Sequence, residues 1–333
     1  MHTFSGLRSR FTIAAPLCVA LALGVLTDRA IAQTAAKPAA YPAKPITLVI
    51  PAAAGGGLDV SMRHVAKRLG EILATPVLVE NRPSVNLLIG TRHVAAAPAD
   101  GYTLLAISNT FVGAAVFDPT AGYEPFRDFA PIAPVAQAPN LLLVNSASGI
   151  SSARNLVERA KQSGAQQLAF GSAGIGSSPH VAAVLFGRAT ATSFIDVPYK
   201  GAAPALLDLL GGRIAFLFDS VSSALPHVKA GTLRALAATT AKRSALVPEV
   251  PTMMEALGLA DYDLPLFYGI AAPAKTPPDV INALHAALTK SAADNELREQ
   301  FAKMGFELQT PPRPDEYTRF LRQQFDKLGG LKQ

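Results

Sequence analysis

The chain has 333 residues, half of them hydrophobic and 16% charged, with sixteen phenylalanines, no tryptophan and a formal net charge of +6. That balance excludes a disordered chain and allows two domains of ordinary size or one large one. Without tryptophan a large sugar-stacking platform is disfavoured, and without a Lys/Arg block so is nucleic-acid binding.

Arg8 and Arg10 precede an apolar run from Thr12 to Leu26, and Ala30-Ile31-Ala32 is a small-x-small cleavage signal before Gln33. This pattern predicts a Sec-type signal peptide over 1–32, cleaved near Ala32/Gln33, and hence a periplasmic protein. Ser9 separates the two arginines, so there is no twin-arginine pair, and Leu17 before Cys18 argues against a lipid anchor. Cleavage removes Cys18, the sole cysteine, leaving no disulfide or thiol chemistry. Loss of Arg8, Arg10, Arg29 and Asp28 lowers the net charge from +6 to +4. Residues 33–40 read as a linker.

The body opens with an apolar strand, Ile46 to Ile50. A loop of small residues holding Gly55, Gly56 and Gly57 follows, then a helix with Met62, Val65, Ala66, Leu69, Ile72 and Leu73 on one face. Strand, glycine loop and helix together aim free N–H groups and the positive end of a helix dipole at one point, which attracts an anion. Val77 to Glu80 and Tyr102 to Ile107 read as further parallel strands, with a helix from near Gly90 between them. The loops 51–58, 81–90 and 108–111 then lie at the carboxyl ends of the strands, where such sheets bind ligands. Phe129 to Ile132 and Leu141 to Val144 read as extended segments at a passage between lobes. Residues 151–163 read as an amphipathic helix capped by Ser151 or Ser152.

A second cradle spans Gln167 to Arg188. Beyond it, strands are predicted at 194–197, 214–218 and 233–238, and helices at 204–210 and 225–229. Phe267 to Pro273 is the return crossing, and two helices, near 278–304 and 314–328, end the chain. Two cradles about 120 residues apart point to two lobes facing each other across a ligand.

Neither cradle is a nucleotide motif. The first lacks the third glycine of G-x-G-x-x-G and the Lys-Ser/Thr of a P-loop; in the second, Pro179 stands where the third glycine belongs. No cofactor is expected. Asp59 is placed to cap its helix. The plainer reading of the first loop is a tight turn with no ligand. Ser172, Ser177 or Ser178 with His180 and Asp219 supply the residue types of a hydrolase triad, but no G-x-S-x-G elbow is present. The six histidines are scattered, so no metal site is expected. Lys200 reads as an interface or solvent residue rather than an anion ligand.

The motifs Gly55-Gly56-Gly57-x-Asp59, Val79-Glu80-Asn81-Arg82-Pro83, Asp100-Gly101-Tyr102-Thr103-Leu104-Leu105 and Asp128-Phe129-Ala130-Pro131-Ile132 stand in order along the chain. After them come Gly171-Ser172-Ala173-Gly174-x-Gly176-Ser177-Ser178-x-His180, Val197-Pro198-Tyr199-Lys200-Gly201-Ala202-Ala203-Pro204-Ala205 and Ala224-Leu225-Pro226-His227-Val228-Lys229-Ala230-Gly231. With this series the chain from Tyr41 onward resembles the Bug family, periplasmic solute-binding proteins of tripartite tricarboxylate transporters. The resemblance implies an α/β, two-lobed periplasmic-binding-protein fold (Venus flytrap, type II), each lobe a mostly parallel sheet flanked by helices. Lobe 1 would take 41–138 and 264–333, and lobe 2 would take 139–263, hinged near 137–141 and 262–267. It implies no catalysis, a small organic acid as ligand, membrane permease subunits as partners and a monomer.

In the family the ligand carboxylate is held by the two loops through backbone groups and bridging waters. Those loops map onto Ala53, Ala54, Gly55, Gly56, Gly57 and Asp59, and onto Ser172, Ala173, Gly174, Gly176 and Ser177; Ser108, Asn109 and Asp219 fall where the cleft is lined. Three departures from the family pattern bear on the ligand. Ala52-Ala53-Ala54 replaces an aromatic and prolines. Ser84-Val85-Asn86-Leu87-Leu88 replaces a glycine-rich turn, adding bulk at the rim. Phe267 stands where tryptophan is frequent. A sensor or scaffold of the same fold is the alternative reading, and a secreted serine hydrolase the third.

Overall fold

The computed structural model describes residues 41–164, 167–245, 247–260 and 262–331; the predicted signal peptide (1–32) and linker (33–40) lie outside them. The first elements are β1 (Ile46–Ile50), α1 (Gly57–Leu73), β2 (Val77–Asn81), α2 (Leu88–Ala95), β3 (Thr103–Ser108) and α3 (Asn109–Phe117). Then come β4 (Phe129–Ala138), β5 (Asn140–Asn145), α4 (Ala153–Gln162), β6 (Ala169–Ser172), α5 (Ser178–Thr190), β7 (Ile195–Pro198) and α6 (Ala202–Leu210). The chain continues through β8 (Phe216–Ser220), α7 (Val221–Lys229), β9 (Leu233–Ala238) and α8 (Met253–Leu257). It ends with β10 (Leu266–Pro273), α9 (Pro278–Ala292), α10 (Asn295–Lys303), β11 (Glu307–Leu308) and α11 (Pro314–Gly329).

Two sheets result, ordered β11-β4-β10-β3-β1-β2 and β7-β6-β8-β5-β9. In the first, β1 pairs in parallel with β2 and β3, while β10 runs antiparallel between β3 and β4. In the second, β6 pairs in parallel with β7 and β8, and β5 runs antiparallel between β8 and β9. Helices cover both faces of each sheet, so the central strands are apolar throughout rather than alternating. Ile46, Leu48 and Ile50 join one core cluster and Val49 joins another across the sheet. On α1, Met62, Val65, Ala66 and Leu69 are almost wholly buried, each large aliphatic chain stabilising the lobe by about 1.5–3 kcal/mol.

The chain passes from the first sheet to the second at Pro139 and returns between Thr239 and Leu266. The two crossings are stitched side by side: Thr239 N–H donates to Asn140 O (2.9 Å), Asn140 N–H to Thr239 Oγ1 (3.1 Å) and Leu264 N–H to Thr239 O (2.9 Å). Asn109 clamps the return strand, donating to Pro265 O (3.0 Å) and accepting from Phe267 N–H (2.9 Å).

Three local expectations change. Residues 109–117, expected to begin as loop, form α3; that helix is buried almost all round, which erases the periodicity that marks a surface helix. The helix expected over 278–304 is two helices, because the Asp294 side chain accepts from Leu297 N–H (2.8 Å) and starts α10 afresh. α7 begins at Val221, one turn earlier than Leu225. Ser152 caps α4 through Asn155 N–H (3.1 Å), as its position predicts.

Candidate functional site

Between the sheets lies a cavity of about 80 Å³, bordered by Ala53, Gly56, Gly57, Ser108, Ser172, Ala173 and Asp219 from the sequence reading, together with Leu87, Thr110, Asn140, Ser178, Gly201, Leu266 and Tyr268. Four helices start in its wall: α1 at Gly57, α3 at Asn109 after Ser108, α5 at Ser178 and α6 at Ala202 after Gly201. Each helix start presents unpaired N–H groups and about half a positive charge. Among the described residues no lysine, arginine or histidine borders the cavity, and Asp219 is its one charged group.

The start of α1 is open. Gly56 is its N-cap and makes no side-chain cap bond. Among the described hydrogen bonds none uses the N–H groups of Gly56, Gly57 or Leu58. Gly57 is closely covered: a Cβ there would lie 2.8 Å from Tyr268 Oη, 2.9 Å from Ser222 Oγ and 3.0 Å from Ser220 Oγ, so these side chains would have to shift. The lobes therefore meet closely over this residue.

The second cradle is closed on itself. Ala173 N–H donates to Ser177 Oγ (3.1 Å), Gly174 N–H to Ser172 Oγ (2.9 Å), Gly176 N–H to His180 Nδ1 (3.2 Å) and Ser177 N–H to Gly174 O (3.0 Å). It borders the cavity through Ser172, Ala173 and Ser178. Ser178 Oγ accepts from Asn140 Nδ2 (2.7 Å) and keeps its own proton to donate.

Asp219 sits at the end of β8, buried, with Oδ1 accepting from Ser220 N–H (2.7 Å) and Oδ2 from Ser223 Oγ (2.7 Å). Burial pushes its carboxyl up to about 6, and these two bonds offset part of that rise. α7 begins two residues later. Tyr268, on β10, faces the same space, and burial raises its hydroxyl.

Seven residues of the sequence reading do not border the cavity. Ala54 and Gly55 are exposed on the outer side of the loop. Asp59 is engaged within its own lobe, accepting from Gly55 N–H (3.0 Å), Arg63 Nε (3.1 Å) and Asn81 Nδ2 (2.8 Å). Burial acts to raise its carboxyl, but those hydrogen bonds hold it below the usual carboxylate range. Asn109 is the clamp on the return strand. Gly174 and Gly176 face the opposite lobe. A Cβ on Gly174 would collide with Asn86 Oδ1, and one on Gly176 would lie 2.2 Å from Gly113 O. Ser177 is fully buried as the cap of α5.

The triad types do not converge. His180 Nδ1 is occupied by Gly176 N–H. Burial lowers this imidazole, and its charged neighbour is Asp196 rather than Asp219. Lys200 is exposed. Phe267 is on the far face of β10, against Phe320 (5.3 Å between rings), so the aromatic of the cavity is Tyr268.

A larger groove of about 600 Å³ lies beside the crossings, but its arginines are engaged: Arg243 with Glu255 (2.8 Å) and Arg298 with Ala292 O (2.6 Å). Among the described residues no cluster of His, Cys, Asp or Glu could hold a metal, and no helix is long and apolar enough to cross a membrane.

The model of the tripartite tricarboxylate transporter family receptor matches residues 61–333. The chain belongs to this family. It is 33% identical to protein BugT of Bordetella pertussis over 296 residues, 87% of this chain and 89% of that one. The structure of the periplasmic binding protein BugD superposes with a TM-score of 0.83 at 31% identity, covering 87% of this chain and 97% of the other. A protein of R. palustris solved with adipate gives 0.82 at 30% identity, covering 87% and 97%. The two-lobed fold is thus that of the family, with the cavity at the carboxyl ends of β1, β3, β6 and β8.

Proposed function

We propose that this chain is a periplasmic solute-binding protein that captures a small carboxylate between its lobes and presents the closed form to membrane permease subunits, without catalysis. The observation that carries the reading is the convergence of four helix starts on one cavity that no cationic side chain borders. The N–H groups of Gly56, Gly57 and Leu58 and the hydroxyls of Ser108, Thr110 and Ser178 are its hydrogen-bond donors. Such a site binds an anion through fixed dipoles, and closure strengthens those dipoles by removing water. Lobe 1 comprises 41–138 and 264–333, lobe 2 comprises 139–263, and closure occurs about the crossings at 137–141 and 262–267.

The test is a thermal-shift screen of the mature chain against mono-, di- and tricarboxylates and amino acids. A ligand at 100 times its Kd adds about 2.7 kcal/mol, which raises the midpoint by several degrees in a protein of this size. A hit that vanishes in Gly57→Val supports the reading. If no acid shifts the midpoint, the carboxylate assignment is wrong.

A further inference from the structure

The segment between β2 and α2 holds two consecutive non-glycine residues in the left-handed region, Asn86 (φ 57°, ψ 11°) and Leu87 (φ 59°, ψ 20°). The other two non-glycine positive-φ residues among those described, Ala74 and Ala191, are single residues closing helices, where that conformation is ordinary. In mid-segment the left-handed conformation is unfavourable for a residue with a Cβ. Asparagine tolerates it better than leucine, so Leu87 is the costly one. Strain of this kind persists only where surrounding contacts impose it, and it concentrates at ligand clamps.

The contacts are on both sides. Within the lobe, Thr91 Oγ1 donates to Leu87 O (2.8 Å) and Ile89 N–H donates to Ser84 Oγ (2.9 Å). Asn86 Nδ2 donates to Asp118. Across the lobes, Asn86 N–H donates to Ala173 O (2.8 Å), and its side chain occupies the notch left by the missing Cβ of Gly174. The outcome of this turn is the position of one side chain: Leu87 is 7% exposed and closes the cavity beside Leu58 and Leu266.

We propose that Leu87 is the length gauge of the binding site, held over the cavity by the left-handed turn that Asn86 ties to Ala173, and that its bulk limits the length of acid the site admits. This rests on the carboxylate reading above. A cavity of about 80 Å³ is small beside the several hundred Å³ typical of larger ligand pockets. Leu87 lines the cavity alongside Leu58, Ser108 and Thr110, so its side chain takes up space that the ligand would otherwise fill. An acid too long for the gauge displaces Leu87, which breaks the Asn86–Ala173 bond and with it the closed arrangement.

The experiment is calorimetric titration of the mature chain with two homologous series, acetate to octanoate and malonate to suberate. The same titrations are run on Leu87→Ala, Leu87→Gly and Asn86→Gly. Leu87→Gly suits the positive φ, so it removes the side chain without adding strain. The wild-type chain is expected to lose affinity sharply beyond a limiting length. Leu87→Ala and Leu87→Gly move that limit to longer acids, with a gain of at least tenfold for the first acid that the wild type rejects. Asn86→Gly keeps the N–H donor and the limit. An unchanged limit in both Leu87 variants overturns the gauge, as does a shift in Asn86→Gly as large as that in Leu87→Gly. Absence of binding by every acid to every variant overturns the carboxylate reading instead.

Discussion

The two glycine loops look alike as text and differ in how they use their hydrogen bonds. The first, Ala53 to Leu58, spends one N–H on a local side chain, Gly55 on Asp59, and leaves Gly56, Gly57 and Leu58 facing the cavity. The second, Ser172 to Ser178, returns four N–H groups to its own side chains and carbonyls. An anion cradle is therefore not defined by glycines before a helix. It is defined by donors that nothing nearby consumes. Ser172 and Ser177 in the second loop and His180 on α5 supply competing acceptors, and small alanines in the first supply none. The first loop is a donor surface, and the second is a rigid abutment that docks against the other lobe.

The largest effect follows from breaking that abutment. A Cβ on Gly113 of α3 would lie 1.8 Å from Gly176 O. Gly113→Ala is expected to prop the lobes apart and weaken ligand binding by roughly 100-fold, about 2.7 kcal/mol, with loss of ligand-induced compaction in X-ray scattering. Unchanged affinity would show that the abutment is not needed for capture.

The next effect concerns the one charge beside the donor surface. With its native carboxyl at about 6 against an ordinary 3.8, Asp219 binds protons more readily in the folded state. Stability from this group therefore falls as pH rises from about 4 to 6, and the penalty is complete above that window. It amounts to something on the order of 3 kcal/mol. Asp219→Asn keeps an acceptor for Ser220 N–H and should be more stable than the wild type in urea at pH 8, but not at pH 4. An anionic ligand raises Asp219 further, so capture by the wild type should take up a proton near neutral pH, and capture by Asp219→Asn should not. Equal urea midpoints at both pH values would contradict the burial argument.

The smallest effect sharpens the contrast. Ser177→Ala removes the cap of α5 and the acceptor for Ala173 N–H, and should cost about 1 kcal/mol of stability, read as a fall of a few degrees in melting temperature. It also frees one N–H in the second loop, so ligand affinity should hold or rise slightly. A large loss of affinity with intact stability would instead make Ser177 a ligand residue.

Much of the framework is written locally. Ile46 to Leu73 reads as strand, loop and helix because three different periodicities succeed one another within 28 residues, and the structure follows them closely. Ser152 caps its helix because the cap bond spans three residues. The same local reading fails at Phe267 and Tyr268. Both are apolar aromatics in one strand, and only the register of β10 between β3 and β4 decides which faces the cavity. It fails at Asn109 for a related reason: a carboxamide after a strand reads as a ligand donor, whereas the fold brings Pro265 and Phe267 to it from more than 150 residues away.

By itself, then, the sequence determined most of the strands and amphipathic helices and the two glycine loops, because helix periodicity, caps and turn chemistry act over a few residues. Only the tertiary structure decided which N–H groups remained unpaired, which side of β10 met the ligand space and why Asn86 and Leu87 hold a left-handed turn. Each of these depends on a partner supplied by the opposite lobe or a distant strand, and no spacing along the chain encodes that partner.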